Sequence, residues 1–194
     1  MFSGIIKNIY NVFERRNGTL VVASPQRGDR LGDSLAVNGI CLTLAKRRKK
    51  GNKTFLFFHL SPETRAKTTC DDLKKGQAIN FERSLKMNDI LSGHIVLGHV
   101  DGIGRVKRIE KQKGQYVFWF SYPAHLCRFL APKGSIAVNG VSLTLVKVGK
   151  QEFSVAIIPY TYDHTTFHTL TVGDKVNLEA DVFAKYVQKY MRKK

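Results

Sequence analysis

The strongest constraint on the fold of this chain is an internal repeat. The segment SLAVNGICLTL at residues 34–44 returns almost letter for letter as SIAVNGVSLTL at residues 135–145. A second pair of matching segments follows in the same order, over residues 62–82 and 159–179. The offset is 101 residues for the first pair and 97 for the second, so the first copy carries four extra residues between its segments. Two copies of small-domain size indicate the tandem duplication of one domain.

Each copy has the pattern of short β-strands. Apolar runs such as residues 54–60 and 116–120 are rich in aromatic and branched side chains and are bounded by Gly, Lys or Pro. The Asn-Gly pairs at 38–39 and 139–140 tolerate positive φ and predict tight turns between strands. Many short strands in a small unit favour a closed barrel, because closure removes exposed strand edges. The predicted fold class is therefore all-β, with two tandem homologous barrels.

Two kinds of helical segment interrupt this pattern. Ser61 supplies an N-cap and Pro62 a first-turn proline, so a short helix is predicted there and at the matching Pro159. The C-terminal residues 182–194 place six apolar side chains on one helical stripe: Val182, Phe183, Tyr186, Val187, Tyr190 and Met191. A helix this short is marginal alone, so its stripe needs a covering surface. Packing onto its own barrel and packing between subunits both remain open.

The formal net charge of +17 makes a polyanion such as nucleic acid a partner to consider. The densest basic runs are residues 46–50 with Lys53, and residues 192–194. They fall at a predicted hairpin tip and at the chain end, where charge is normally solvated. The aromatic residues lie mostly in core-like strand runs. A basic β-barrel that binds nucleic acid is therefore only a distant alternative as the main function.

Cysteine and histidine spacing predicts neither a disulfide framework nor a metal site. Cys41, Cys70 and Cys127 are odd in number and lack ligand spacing. His94 and His99 would lie on opposite faces of a regular strand. No apolar run approaches the roughly 20 residues that span a bilayer, and the first residues lack a signal-peptide pattern. We therefore expect a protein that binds no metal, is not in a membrane and is located in the reducing cytoplasm.

Taken in order, several motifs resemble those of the riboflavin synthase family. They are MFSGII at residues 1–6, the paired VNG-x-[C/S]-LT segments, SPET at residues 61–64 and SGHIVLGHVDG at residues 92–102. The resemblance covers essentially the whole chain. It implies two six-stranded Greek-key β-barrels plus a C-terminal α-helix, as domains 1–92, 93–181 and 182–194. It also implies a homotrimer assembled through these helices.

The resemblance also implies a reaction. Such enzymes dismutate two molecules of 6,7-dimethyl-8-ribityllumazine by four-carbon transfer, giving riboflavin and 5-amino-6-(D-ribitylamino)uracil, the final step of riboflavin biosynthesis. One lumazine must lose a proton from its 7-methyl group, and the other must be attacked at a ring carbon. Because the heterocycle delocalises the charge, no cofactor is expected, and the protein orients the substrates and transfers protons. The productive site is expected between the N-terminal barrel of one subunit and the C-terminal barrel of its neighbour.

By the same resemblance, each barrel has one set of substrate-binding residues. The N-terminal pocket is expected to contain Gly4, Ile5, Ile6, Cys41, Leu42, Thr43, Glu63, Thr64, Arg65, Ala66, Lys67 and Thr68. The C-terminal pocket is expected to contain Gly98, His99, Val100, Lys133, Ser142, Leu143, Thr144, Tyr160, Thr161, Tyr162, Asp163, His164 and Thr165. Small polar groups in an apolar barrel mouth suit an uncharged polar ligand. Which pocket holds the four-carbon donor stays open.

Four residues are expected by resemblance to be catalytic: Cys41, Ser34, His99 and Asp181. Cys41 is the sharpest difference between the copies, since Ser142 is its counterpart. Its thiol has three possible roles, as a nucleophile, in proton transfer or as a small packed group. His99 is a candidate general acid or base. The alternative structural roles are a backbone cap for Ser34 and the N-cap of the terminal helix for Asp181.

The main alternative is a non-catalytic relative that holds a lumazine or flavin chromophore in the same barrels. The near-equal pocket motifs in both halves argue for catalysis, and so do the four catalytic candidates. Degeneration of one half would have favoured the carrier.

Overall fold

The computed structural model describes residues 1–24 and 28–191 and is dominated by strands. The strands of the first half are β1 (Asn8–Arg16), β2 (Thr19–Ser24), β3 (Ser34–Val37), β4 (Ile40–Lys50), β5 (Lys53–His59) and β6 (Ala78–Arg83). Those of the second half are β7 (Gly102–Gln112), β8 (Gln115–Ser121), β9 (Ser135–Val138), β10 (Val141–Val148), β11 (Glu152–Ile157) and β12 (Lys175–Ala180). The α-helices are α1 (Pro62–Lys67), α2 (Pro159–Asp163) and α3 (Val182–Met191).

Each half closes into an antiparallel six-stranded barrel. The strand order is β1-β2-β5-β4-β3-β6 in the first barrel, and the equivalent strands follow the same order in the second. The step from β2 to β5, with β3 and β4 returning between β5 and β6, is a Greek-key connection. The predicted all-β fold with two related barrels and a C-terminal helix is confirmed.

The turns and helix starts predicted from sequence are present. Both Asn-Gly pairs take positive φ, 45° and 74° at Asn38 and Gly39, and 46° and 79° at Asn139 and Gly140. At the start of α1, the Ser61 hydroxyl accepts the Thr64 backbone N–H at 3.1 Å. The basic run of β4 extends beyond the barrel as a hairpin with β5, so its position at a tip is also confirmed.

Each barrel has its own apolar core, and a small third cluster joins the two. Aromatic rings fill the second core, where Phe118 meets Phe167 edge to face at 5.1 Å between centroids. The joining cluster contains Phe2, Ala36, Val96 and Ala137, with Cys41 packed against it. Its members are two pairs of equivalent residues, so the barrels meet around an approximate twofold axis.

Buried asparagines connect the barrels reciprocally across this axis. The Asn80 side-chain amide donates to the Asn139 carbonyl, and that of Asn177 donates to the Asn38 carbonyl, both at 2.9 Å. The backbones also touch, because a Cβ on Gly39 would lie 2.5 Å from the Gly140 nitrogen. Such satisfied buried networks fix one relative orientation of the two units.

The terminal helix α3 leaves its apolar stripe uncovered. Phe183, Tyr186, Val187, Tyr190 and Met191 are each more than half exposed. The predicted helix extended to residue 194, and its last three residues, like the basic run 192–194, lie outside the described residues. In the part of the chain that is described, no helix has the length and apolar character needed to cross a bilayer.

Candidate active site

Cys41 lies on the outer wall of the first barrel. Strand β4 leaves the Asn-Gly turn with Leu42 and Leu44 pointing into the core, so Cys41 and Thr43 face outward. In the register with β3, Ala36 is opposite Cys41, and Ser34 is opposite Thr43. The structure therefore brings Ser34 and Cys41 to one outer face, on neighbouring strands. We expected these side chains in the mouth of the barrel, and this expectation was wrong, because they lie on the outer wall of the first barrel.

The segment after His94 covers Cys41. The Cys41 backbone N–H donates to the Gly98 carbonyl at 2.9 Å. Contact is so close that a Cβ on Gly98 would lie 2.6 Å from the Cys41 Cβ, and the glycine has a φ of +75°. His99 follows and is exposed, and Val100 packs against the first core. We call the surface formed by Cys41, Thr43, residues 98–100 and α1 the Cys41 site.

The second barrel repeats this arrangement with the N-terminal segment. The Ser142 backbone N–H donates to the Gly4 carbonyl at 2.8 Å, and a Cβ on Gly4 would lie 2.7 Å from the Ser142 Cβ. Ile6 packs against the second core. We call the surface formed by Ser142, Thr144, residues 4–6 and α2 the Ser142 site.

This arrangement corrects the grouping expected from sequence. Residues 4–6 were assigned with Cys41 to one pocket, and residues 98–100 with Ser142 to the other. The hydrogen bonds place each segment on the opposite barrel. The two segments also pair with each other, since Phe2 and Val96 exchange backbone hydrogen bonds of 2.7 and 3.1 Å. Both segments therefore run between the barrels, and each covers the barrel made by the other half of the chain.

Two buried glutamates hold the exchanged segments. Glu179 accepts the backbone N–H groups of Leu97 at 2.7 Å and Gly98 at 2.9 Å. Its counterpart Glu82 accepts those of Ser3 at 2.8 Å and Gly4 at 3.1 Å. Burial raises the pKa of both carboxyl groups above the ordinary value, although the hydrogen bonds oppose the shift.

Both glutamates end the repeated segments 62–82 and 159–179, and the sequence alone assigned them no role. An acidic residue inside a strand of both copies was the signal that could have identified them. Each carboxylate lies on the barrel opposite the one that its segment covers.

His94 is a site residue that the sequence analysis also missed. Its Nδ1 lies 2.7 Å from the Ser142 Oγ, and only 9% of the residue's surface is exposed. Burial lowers the pKa of His94, and the charge of Asp181 partly opposes this shift. The imidazole is therefore neutral at pH 7 and can accept a proton. From the sequence, His94 was considered only as a metal ligand.

The two short helices flank the sites. Thr68 and Thr165 occupy equivalent positions, and their hydroxyls donate to the Thr64 and Thr161 carbonyls at 2.7 Å. On α1, exposed Lys67 pairs with Glu63 at 2.8 Å, and this ion pair lowers the pKa of the Glu63 carboxyl. Arg65 is bound to Asp71, and Ala66 is exposed beside it.

On α2, aromatic stacking replaces these ion pairs. The Tyr160 ring stacks on His164 at 4.1 Å and the Tyr162 ring on Tyr116 at 3.9 Å. Asp163 is exposed at the end of this helix. The flanks of the two sites therefore differ in charge, although their backbones are equivalent.

The remaining predicted residues take several positions. Leu42 and Leu143 point into the cores, so only their backbones can reach a ligand. Lys133 is exposed with a φ of +70°. Asp181 accepts the Phe183 N–H at 2.9 Å, which confirms its capping position before α3. His94 and His99 belong to different sites, and no group of three or more His, Cys, Asp or Glu suited to a metal occurs among the described residues.

Comparison with known proteins gives the class first. Residues 3–84 and 97–181 each match the family model described as the lumazine binding domain. The two barrels are therefore a pair of lumazine-binding domains, in agreement with the duplication.

Full-length relatives then specify the family. The riboflavin synthase of Bacillus subtilis is 35% identical over 199 residues, covering 100% of this chain and 91% of that protein. That of Chlamydia trachomatis serovar D is 40% identical over 190 residues, covering 95% and 92%. The chain belongs to the riboflavin synthase family.

Solved structures agree on the fold. LumP complexed with riboflavin aligns with a TM-score of 0.80 and 20% identity, over 93% of this chain and 99% of that one. LumP complexed with 6,7-dimethyl-8-(1'-D-ribityl) lumazine aligns with a TM-score of 0.78.

Proposed function

We propose that this riboflavin synthase family member dismutates two molecules of 6,7-dimethyl-8-ribityllumazine, one bound at a Cys41 site and one at a Ser142 site. The observation that supports this most directly is the pair of related but unequal sites on one chain. A reaction between two identical molecules needs two similar binding surfaces, and unequal chemistry requires different side chains on them. Orienting the two heterocycles towards each other is the main catalytic task.

We assign proton abstraction to the Ser142 site. The buried His94 is neutral at pH 7 and shares a hydrogen bond with the Ser142 hydroxyl. A 7-methyl proton can therefore pass to the imidazole through this hydroxyl, while the lumazine ring carries the resulting negative charge. The lumazine at this site loses the proton, and its partner at the Cys41 site is attacked at a ring carbon.

The Cys41 site has different groups around the same backbone. The thiol is partly exposed on the barrel wall beside Gly98, with exposed His99 as the next residue. We propose that Cys41 contacts the lumazine that is attacked. Ser34 lies on the same face and His99 on the covering segment, so both are placed to bind or exchange protons with this substrate.

We further propose that the productive site forms between subunits of a trimer. The apolar stripe of α3 is exposed in the single chain, which favours packing between subunits over packing onto its own barrel. The Cys41 site of one subunit would then face the Ser142 site of its neighbour.

We propose a cytoplasmic location because the three cysteines of the chain are all unpaired, as is usual in a reducing compartment.

Incubation of the purified protein with the lumazine, without added cofactor or metal, tests the reaction. Riboflavin is followed by absorbance, and one molecule is expected per two lumazines consumed. Cys41→Ser should slow turnover, while Cys127→Ser, at another unpaired cysteine, should not. Asp181→Asn keeps a capping oxygen, so slower turnover with an intact helix would indicate a role for its charge. Tight binding without turnover would make the protein a chromophore carrier.

Deuterium exchange at the 7-methyl group tests the proton transfer separately. The lumazine is dissolved in D2O, and loss of the methyl signal is followed by proton NMR with and without protein. Exchange above the uncatalysed rate should fall about 100-fold or more in His94→Gln, as removal of a general base commonly does. His125→Gln, in the 3-10 turn of the second barrel, is the control. Unchanged exchange in His94→Gln would refute the assignment.

A further inference from the structure

The outer face of the first barrel combines partly exposed aromatic rings with cations that form no ion pair among the described residues. Phe55 and Phe57 alternate along β5 with Leu56 and Phe58, which are fully buried in the core, so both rings lie on the outer face. Phe13, at a bulge in β1, meets Phe55 edge to face at 4.6 Å and is 42% exposed. Phe13 contacts Phe55, and Phe57 is two residues further along the same face of β5, so these three rings lie together outside the core as exceptions to the mostly buried aromatics.

Cations flank the strip on both sides. Lys46 and Arg48 are opposite Phe57 and Phe55 in the β4–β5 register and therefore share their face. The Lys46 amine lies 5.8 Å from the centre of the Phe57 ring. On the other side, the Lys75 amine lies 5.7 Å from the centre of the Phe13 ring. We call Phe13, Phe55, Phe57, Lys46, Arg48 and Lys75 the aromatic–basic surface.

The hairpin extends this surface with further charge. Lys50 and Lys53, which are opposite each other in the register, continue this face beyond the barrel and are exposed, whereas Lys49 points to the other face. Within the described residues, no ion pair joins the cations of the hairpin to a carboxylate. Arg47 points to the other face, where it donates to the Asp29 carbonyl. The acidic residue Glu14 lies in β1, opposite Val21 in β2. Like charges held this close repel one another, which a bound polyanion would relieve.

We propose that the aromatic–basic surface binds single-stranded nucleic acid without sequence specificity, as a function separate from lumazine turnover. Phosphates would lie along the cations of β4 and the hairpin, and bases would stack on the phenylalanine rings. Basic β-barrels bind single strands through this combination of stacking platforms and a cationic path. A sulfated polysaccharide or an acidic protein would use the charges but gain little from the rings, so the rings favour nucleic acid.

Fluorescence anisotropy with a labelled oligothymidylate of about 12 nucleotides measures the binding, since sites on small barrels cover roughly 4–16 nucleotides. The test variant is Lys46→Gln, Arg48→Gln and Lys50→Gln together, which removes the three cations of β4 that share the face of the rings. The control is Lys107→Gln, Lys113→Gln and Lys150→Gln, which removes the same charge from exposed positions on the second barrel. Circular dichroism and thermal melting verify that both remain folded.

Affinity should weaken with salt, and the slope of log Kd against log salt should fall by about 2 in the test variant, as expected for three lost phosphate contacts. The control should keep the slope of the unmodified protein. Phe13→Leu with Phe57→Leu should weaken binding by about 5-fold or more per ring while leaving the slope unchanged.

Other outcomes would overturn the proposal. Equal losses in both triple variants would mean that net charge alone attracts the oligonucleotide. Tighter binding of a duplex, or wild-type affinity in the leucine variant, would exclude stacking. Heparin binding that matches the oligonucleotide and ignores the leucine substitutions would assign the surface to polyanions in general.

Discussion

Gly98→Ala should impair catalysis far more than it impairs folding. A Cβ there would lie 2.6 Å from the Cys41 Cβ and 2.7 Å from its nitrogen, whereas ordinary contact begins at 3.4 Å. The segment must therefore retreat from β4 by about 0.8 Å, because neither group is a side-chain end that can rotate away. Displacement of this size in an oriented site can cost about 100-fold in rate.

Gly76→Ala is the matched control. Gly76 has a φ of +84°, close to the +75° of Gly98, but no atom lies within 4 Å of its would-be Cβ. Both substitutions carry the cost of positive φ, about 1–2 kcal/mol. Gly98→Ala additionally weakens the bond between the Cys41 N–H and the Gly98 carbonyl, about 1 kcal/mol. Its melting temperature should therefore be lower than that of the control by about 2–4 °C.

Riboflavin formation and thermal melting, measured side by side for the two variants, test whether Gly98→Ala impairs catalysis more than folding. We expect Gly76→Ala to retain nearly full turnover and Gly98→Ala to lose about 100-fold, although both are folded at the assay temperature. If Gly98→Ala turned over lumazine within about twofold of the control, close packing of the segment on β4 would be irrelevant to catalysis, and the reasoning would fail.

Three further predictions concern buried charge, the histidine and assembly. Burial raises the pKa of Glu82 and Glu179 in the folded protein. The free energy of unfolding should therefore fall as the pH rises from the ordinary pKa of 4.5 through the folded pKa. Urea unfolding at a series of pH values should show a weaker pH dependence of this free energy in Glu82→Gln and Glu179→Gln. Because burial lowers the pKa of His94, turnover should fall at acid pH with a midpoint below pH 6.5. A wild-type pH–rate profile without such a fall below pH 6.5 would contradict the role of His94 as a neutral base. Val187→Glu should dissociate the proposed trimer in sedimentation experiments and reduce turnover, whereas Lys189→Gln, which changes the net charge equally, should do neither.

Local sequence signals predicted most of the fold because they have short-range physical causes. The Asn-Gly pairs take positive φ, which these residue types tolerate. Ser61 caps α1 through its own side chain. Alternation along β5 separates core from surface within seven residues. Because the sequence repeats, the elements predicted for one half were also predicted for the other half.

The exchange of segments was not predictable by these means. Residues 4–6 and 98–100 resemble each other, so either can be assigned to either barrel from sequence. The choice depends on hydrogen bonds between residues far apart in the chain, such as those of the Gly98 backbone with the Cys41 N–H and the Glu179 carboxylate. The role of His94 was not predictable for a related reason: its hydrogen-bond partner Ser142 is 48 residues away in the chain.

The exchange also explains why the copies are so similar in one part and different in another. Glu179, on the second barrel, holds the segment that covers the first, and Glu82, on the first barrel, holds the segment that covers the second. A backbone shift in either half would therefore disturb both sites, so the strands and Asn-Gly turns that form this scaffold must match. Side chains that point away from the scaffold are free of this constraint, and there the copies diverge, as at Cys41 and its equivalent Ser142. Two sites with one geometry and unequal chemistry are what a reaction between identical molecules with different roles requires.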